Sequence, residues 1–228
     1  MNTTVISAMI FGIIQINVHA TINHDAIAGE LGLVGQHLVT DKDLAVAWSR
    51  DANLVKTMCD SGSPLWKSFD AQSVQQGTGR SSTEICNQNG LMNWYEAKAW
   101  IDVLNRHNYL GHSDWRLPRI QQKDTTCTLQ VEGNSAGAVA HLGHGCQNSE
   151  PGHLFHVSLR NPVHGKTCTD DCLINKGPFH NLSGSAYWTG TEMDFDNSLV
   201  GVFDLNNDWQ DAESKTSDLL RVWPVYSL

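Results

Sequence analysis

Gly90-Leu-Met-Asn-Trp-Tyr-Glu-Ala-Lys-Ala-Trp-Ile-Asp-Val-Leu-Asn-Arg-His-Asn-Tyr-Leu-Gly-His-Ser-Asp-Trp-Arg-Leu-Pro118 reads as a capped helix, a turn and a short strand stopped by proline. Asn93 is a good N-cap, because its side-chain oxygen accepts from the free N–H groups of a first helical turn. Glu96 stands three residues later, where a capping box places its acid. Trp94, Ala97, Trp100, Ile101 and Leu104 then recur at helical steps and form one apolar face. Glu96, Asp102, Asn105 and Arg106 fall largely on the other. Two Trp on one face make a large knob that needs a partner surface. In Asp114-Trp-Arg-Leu-Pro118 the residues alternate, so an extended chain turns Trp115 and Leu117 one way and Asp114 and Arg116 the other. Pro118 cannot donate to a ladder and limits that strand to a short or edge position. Asp114 and Arg116 are either a polar pair that binds a ligand or a salt bridge that fixes this corner.

Outward from this unit the chain alternates strands with polar stretches. Leu44-Ala-Val-Ala-Trp48 predicts a strand, with Arg50 and Asp51 turning the chain after it. Residues 60–90 are polar and hold Gly-Ser, Gln-Gln-Gly and Ser-Ser-Thr runs, which predicts a long surface loop. Residues 121–150 also read as irregular. Leu154, Phe155, Val157 and Leu159 predict a short helix or turn, capped by Ser149 with Pro151 in its first turn. Residues 160–178 predict a second loop. Strands are expected at Tyr187–Glu192, Ser198–Leu205 and Leu219–Val225, with a turn at Asn206–Trp209.

The 228 residues, 40% hydrophobic and 17% charged, suit one globular domain with an ample core. The net charge of −9 argues against nucleic acid and against sulfated or anionic glycans, since both need a basic footprint. Eight Trp and nineteen Gly point to a loop-rich fold pinned by aromatic anchors. Met1–Ala20 carries no charged side chain, is mostly apolar from Val5 to Val18, and ends in Val18-His-Ala20. It reads as a signal peptide cut after Ala20, although a basic n-region is missing. No other segment is apolar enough to span a bilayer. The organisation expected is therefore a signal peptide (1–20), an N-terminal segment (21–37) and a single domain (38–228). Export fits the six cysteines, all outside the signal. They fall in three sequence-local couples, which predicts Cys59–Cys86, Cys127–Cys146 and Cys168–Cys172. Each closed loop would stabilise by roughly 2–3 kcal/mol.

Several blocks in this order carry a resemblance. They are Leu44-Ala-Val-Ala-Trp-Ser-Arg-Asp-Ala-Asn-Leu54, Met92-Asn-Trp-Tyr-Glu-Ala97 and Gly111-His-Ser-Asp-Trp-Arg-Leu-Pro118. Then follow Ser149-Glu-Pro-Gly-His-Leu-Phe155, Gly177-Pro-Phe-His-Asn-Leu182, Tyr187-Trp-Thr-Gly-Thr-Glu192 and Arg221-Val-Trp-Pro-Val225. Over about residues 38–226 the chain resembles the Lcl C-terminal domain family of bacteria. The resemblance implies an α+β fold of the C-type-lectin-like kind shared with formylglycine-generating enzymes, the sulfatase-modifying factors. That fold has small antiparallel sheets, one or two helices and long loops, here pinned by disulfides. It also implies a secreted, cell-surface or periplasmic protein. The family's namesake is the binding domain of a collagen-like adhesin that attaches to sulfated glycans. This chain has no collagen repeat and is acidic, so adhesion is expected to carry over without that ligand. Many members end in a sorting helix with a basic tail, whereas this sequence stops at Leu228 and is expected to be released or held by a partner. The residues expected to bind are Asp114, Arg116, Trp188 and Glu192, from the two most specific blocks. Trp66, Trp94 and Trp209 join Trp188 as possible sugar-stacking rings.

Catalytic chemistry is weakly represented. Asp204, Asn206 and Asp208 have the start of a calcium loop, but Trp209 and Lys215 stand where an EF hand needs Gly and an acid. A looser Ca²⁺ site, helped by Asp194 or Asp196, competes with a plain Asn/Asp turn. The expected cofactor is none, with Ca²⁺ as the alternative. His141, His144, Cys146, His153 and His156 are zinc-type donors, but Cys146 has a disulfide partner to spare it. Cys168-Thr-Asp-Asp-Cys172 lacks the positive neighbours of a redox pair. Formylglycine-generating enzymes use a copper-binding cysteine pair near the C-terminus, and the last strand here has none. The expectation is a non-catalytic module that binds an extracellular glycan or surface protein. The alternatives are a metal-dependent enzyme, either a zinc hydrolase or a copper-dependent oxidase, and a structural subunit of a surface assembly.

Overall fold

The computed structural model describes residues 31–132, 139–216 and 219–228. The signal-peptide reading falls outside them. The fold is α+β, with three small antiparallel sheets and a few helices. Strands β1 (Leu31–Val34), β2 (Leu38–Asp41) and β3 (Val46–Ser49) form a meander that β9 (Val225–Ser227) completes against β3. Trp48 pairs with Val225 in that register, so the beginning and end of the described chain share one sheet. β1 lies in the N-terminal segment, ahead of the expected domain start, and is nonetheless part of this sheet.

Between β3 and the next sheet come α1 (Leu54–Asp60), α2 (Pro64–Lys67), α3 (Ser82–Asn87) and α4 (Trp94–Arg106). A two-stranded hairpin follows, β4 (Leu129–Glu132) with β5 (Val139–Leu142). Next is α5 (Glu150–His153), which runs into one π-helical turn at Leu154–Ser158, where Leu159 N–H donates to the Leu154 carbonyl at 2.8 Å. The third sheet is the meander β6 (Ala186–Met193), β7 (Asp196–Asp204) and β8 (Trp209–Ser214). The sulfurs of Cys59 and Cys86, Cys127 and Cys146, and Cys168 and Cys172 are bonded, the pairing their spacing predicts.

α4 forms as its sequence dictates. Asn93 Oδ1 accepts from Glu96 N–H at 3.0 Å, and Glu96 Oε2 accepts from Asn93 N–H at 2.9 Å, closing the box. Trp94, Ala97, Trp100, Ile101 and Leu104 are all buried. Trp100 meets Trp66 and Phe69, with ring centres 5.3 and 5.8 Å away. A second apolar cluster packs around Trp48 and Trp223, whose rings are 4.7 Å apart, with Phe155, Phe179 and Phe203.

Several expectations are corrected. Glu96 is not on a solvated face but wholly buried, because Arg80 follows it inward. Residues 60–90 are not a loose surface loop. They hold α2 and α3 and bury Trp66, Phe69, Ala71 and Ile85. Residues 121–150 hold the β4–β5 hairpin. The strand expected at Leu44 starts at Val46, since Ala45 takes a left-handed turn conformation at φ 52°. Asp114–Pro118 is extended but pairs only at Arg116, with Val225. The closing strand is Val225–Ser227. Leu220 and Arg221 make only single bridges, to Met92 and Tyr187, and Pro224 has no N–H to continue a ladder.

Candidate ligand cleft

α4, the Trp115–Arg119 segment and the bend of β6 at Gly190 meet around a cleft of about 260 Å³. This joins three of the sequence blocks at one place. The elements are locked together by backbone and indole hydrogen bonds. Trp94 Nε1–H on α4 donates to the Thr189 carbonyl on β6 at 2.9 Å. Gly190 N–H donates to the Pro118 carbonyl at 2.7 Å. Asn105 clamps the backbone of Trp115 from both sides, accepting its N–H at 2.7 Å and donating to its carbonyl at 2.9 Å. Trp115 Nε1–H donates to the Tyr109 carbonyl at 3.0 Å.

The floor is apolar, made by Trp94, Ile101, Trp115 and Leu117, which are all largely buried. The rim carries Lys98, Asp102 and Arg119, all exposed. Lys98 Nζ stands 4.4 Å from the Trp94 ring centre, a cation–π placement. The side chains of Asp102 and Arg119 make no hydrogen bond or ion pair with other described residues. The carboxylate of Asp102 and the guanidinium of Arg119 thus remain open to a ligand, with the Lys98 ammonium beside them over Trp94. The volume lies just below the roughly 300–1,000 Å³ of drug-sized ligand sites, so the cleft takes one or two ring-sized groups.

The predicted site residues divide. Arg116 lines the cleft, but its guanidinium is held by Glu150 in a bidentate pair at 2.7 and 2.8 Å. It does not pair with Asp114, which is exposed and lies 3.9 Å from His112. The alternation of an extended chain sends Asp114 and Arg116 to the same side, yet the turn at α5 brings Glu150 closer to Arg116. Trp188 is completely buried, and its Nε1–H donates to the Met92 carbonyl at 2.8 Å. A ring with no exposed face offers nothing to stack on, and the same holds for Trp66, which is 6% exposed. Glu192 is exposed and accepts from Lys215 Nζ at 2.6 Å, a contact that holds its carboxyl below the usual carboxylate range. Lys215 also stands 5.0 Å from the Trp94 ring, so the Glu192 pair borders the cleft.

Asp204, Asn206 and Asp208 sit in the β7–β8 turn with different tasks. Asp204 caps it by accepting from Asn206 N–H at 2.8 Å, and burial pushes its pKa up. Asp208 is buried and faces the other way. It accepts from Gly145 N–H at 2.7 Å, His164 N–H at 2.9 Å and His156 Nε2 at 3.0 Å. Asp196, at the β6–β7 turn, accepts from the N–H and hydroxyl of Ser198. The histidines do not converge. His144 stacks on His164 at 4.6 Å, His156 binds Asp208, and His153 lies beside Asp43.

Lys98, Asp102 and Arg119 escape a reading from motifs. Lys98 and Asp102 are one helical turn apart, and Lys98 is one turn beyond Trp94. That spacing marks a shared face but does not reveal what lies opposite it. The sequence model of the Lcl C-terminal domain matches residues 37–226. No curated protein and no solved structure matches the chain.

Proposed function

We propose that this chain, which belongs to the Lcl C-terminal domain family, is a secreted, non-catalytic module that binds a surface glycan or protein through the cleft beside α4. The observation that carries this reading is the rim of exposed charges, Lys98, Asp102 and Arg119, gathered around one cleft. A saccharide suits such a rim, because its hydroxyls exchange hydrogen bonds with the three charged side chains. The finer fold assigned to the domain is the C-type-lectin-like one. Its support is the family membership together with the small antiparallel sheets and the one sheet shared by both ends of the described chain. Export is supported by the three disulfides, which form and persist in an oxidising compartment.

Binding at the cleft is proposed to need no cofactor. A calcium ion at Asp204, Asn206 and Asp208 would have to draw Asp208 away from three donors. The non-catalytic part of the reading draws on the cysteines, which are all closed in disulfides and so supply no thiolate nucleophile or copper ligand. The test is a binding screen of the protein against immobilised glycans and extracellular matrix proteins, run beside Lys98→Ala/Arg119→Ala. A ligand captured by the wild type is expected to bind the double variant at least tenfold more weakly, with an unchanged melting temperature. Binding that the double variant retains in full would move the site elsewhere.

A further inference from the structure

We propose that Asp41, Asp43 and His153 form a binding site for a divalent transition-metal ion at the β2–β3 turn. Asp41 ends β2, the turn carries Asp43 back over it, and His153 ends α5. One ligand-type atom from each residue lies within 4.8 Å of the others.

Two features point to an ion. Asp41 is fully buried, yet among the described residues its carboxylate meets only neutral donors, the Ser158 hydroxyl at 2.7 Å and the Leu44 N–H at 3.3 Å. A buried carboxylate is ordinarily matched by a cation or a metal. His153 Nε2 is itself buried and has no hydrogen-bond partner among the described residues, although Asp43 Oδ2 lies 3.7 Å away. That separation is close to the one two ligands of a single ion keep, about 3.4 Å for tetrahedral bonds of about 2.1 Å. The imidazole selects the metal. Calcium and magnesium favour all-oxygen shells, whereas one nitrogen with two carboxylates suits zinc or manganese. Three protein ligands leave at least one position for water or for an outside donor. The site uses none of the residues that line the cleft and stands independently of the binding reading.

The experiment is calorimetric titration of Zn²⁺ into chelator-treated protein, with melting temperature as a second readout. The comparison is with Asp43→Asn and His153→Gln, both at partly exposed positions and checked for wild-type melting without metal. His144→Gln controls for adventitious zinc on the stacked His144–His164 pair. One zinc per chain is expected, with a rise in melting temperature. Affinity should fall at least tenfold in Asp43→Asn and His153→Gln and stay unchanged in His144→Gln. The proposal is overturned by an absence of zinc binding, by binding that survives both ligand variants, by binding lost in His144→Gln, or by displacement with equimolar Ca²⁺.

Discussion

Glu96 shows how much one side chain does in this molecule. Its two oxygens accept from the N–H of Thr78 at 2.9 Å, the N–H of Asn93 at 2.9 Å, the guanidinium of Arg80 at 2.9 Å and the Thr78 hydroxyl. One carboxylate therefore caps α4, anchors the chain ahead of α3 and neutralises Arg80, whose side chain is 13% exposed. Only the first of these tasks is legible in the sequence, where Asn93 and Glu96 have capping-box spacing. The burial is not legible, because Arg80 is sixteen residues away and no local pattern connects it. Removing the carboxylate leaves Arg80 without its counter-charge, and breaking a buried pair in this way costs about 3–5 kcal/mol. We expect Glu96→Ala to lose that much in urea denaturation and Glu96→Gln to lose less, because the amide oxygen still accepts. Equal losses would mean that the charge, and not the cap, carries the stability. Arg116 teaches the same lesson, since its partner is Glu150 rather than its near neighbour Asp114.

At the scale of elements, those with complete local signals are the ones the sequence reveals. α4 has its cap, its apolar face and a basic residue in its last turn. The Ser149-capped helix with Pro151 in its first turn is equally plain. α3 carries a true capping box at Ser81 and Glu84, with Ser81 Oγ accepting from Glu84 N–H at 3.2 Å. That signal is present in the sequence, but the polar composition around it reads as loop. β8 and the β4–β5 hairpin are less legible because their strands are short and their pairing partners set their ends. The seat of α5 is decided by contact alone. A Cβ on Gly152 would come within 1.9 Å of the Cys146 carbonyl oxygen, and backbone cannot yield there as a flexible side chain would. Gly152→Ala is expected to cost about 3 kcal/mol, as overpacking of a tight site does. A melting temperature within a degree of wild type would show that α5 can slide away from Cys146.

Over the whole molecule, long irregular stretches are held by covalent and aromatic anchors instead of by continuous sheets. The disulfides span 27, 19 and 4 residues. Chain entropy then assigns about 3 kcal/mol to each of the first two and about 2 to the last. Paired Cys→Ser variants, compared by urea denaturation, should show the smallest loss for Cys168/Cys172. A larger loss there would mean that this short loop is held for its contacts and not for its entropy. By itself the sequence determined the family, the α+β class and the course of α4, and it favoured the local pairing of cysteines that the structure shows. Each of these is written in short-range spacing, composition or an ordered set of motifs. Only the tertiary structure decided that β9 returns to β3, that Glu96 and Arg80 meet inside, and that Trp188 is core. It alone placed Lys98, Asp102 and Arg119 around one cleft and Asp41, Asp43 and His153 around one point. These are meetings of residues far apart in the chain, and side-chain periodicity says which way a residue faces but not what it will face.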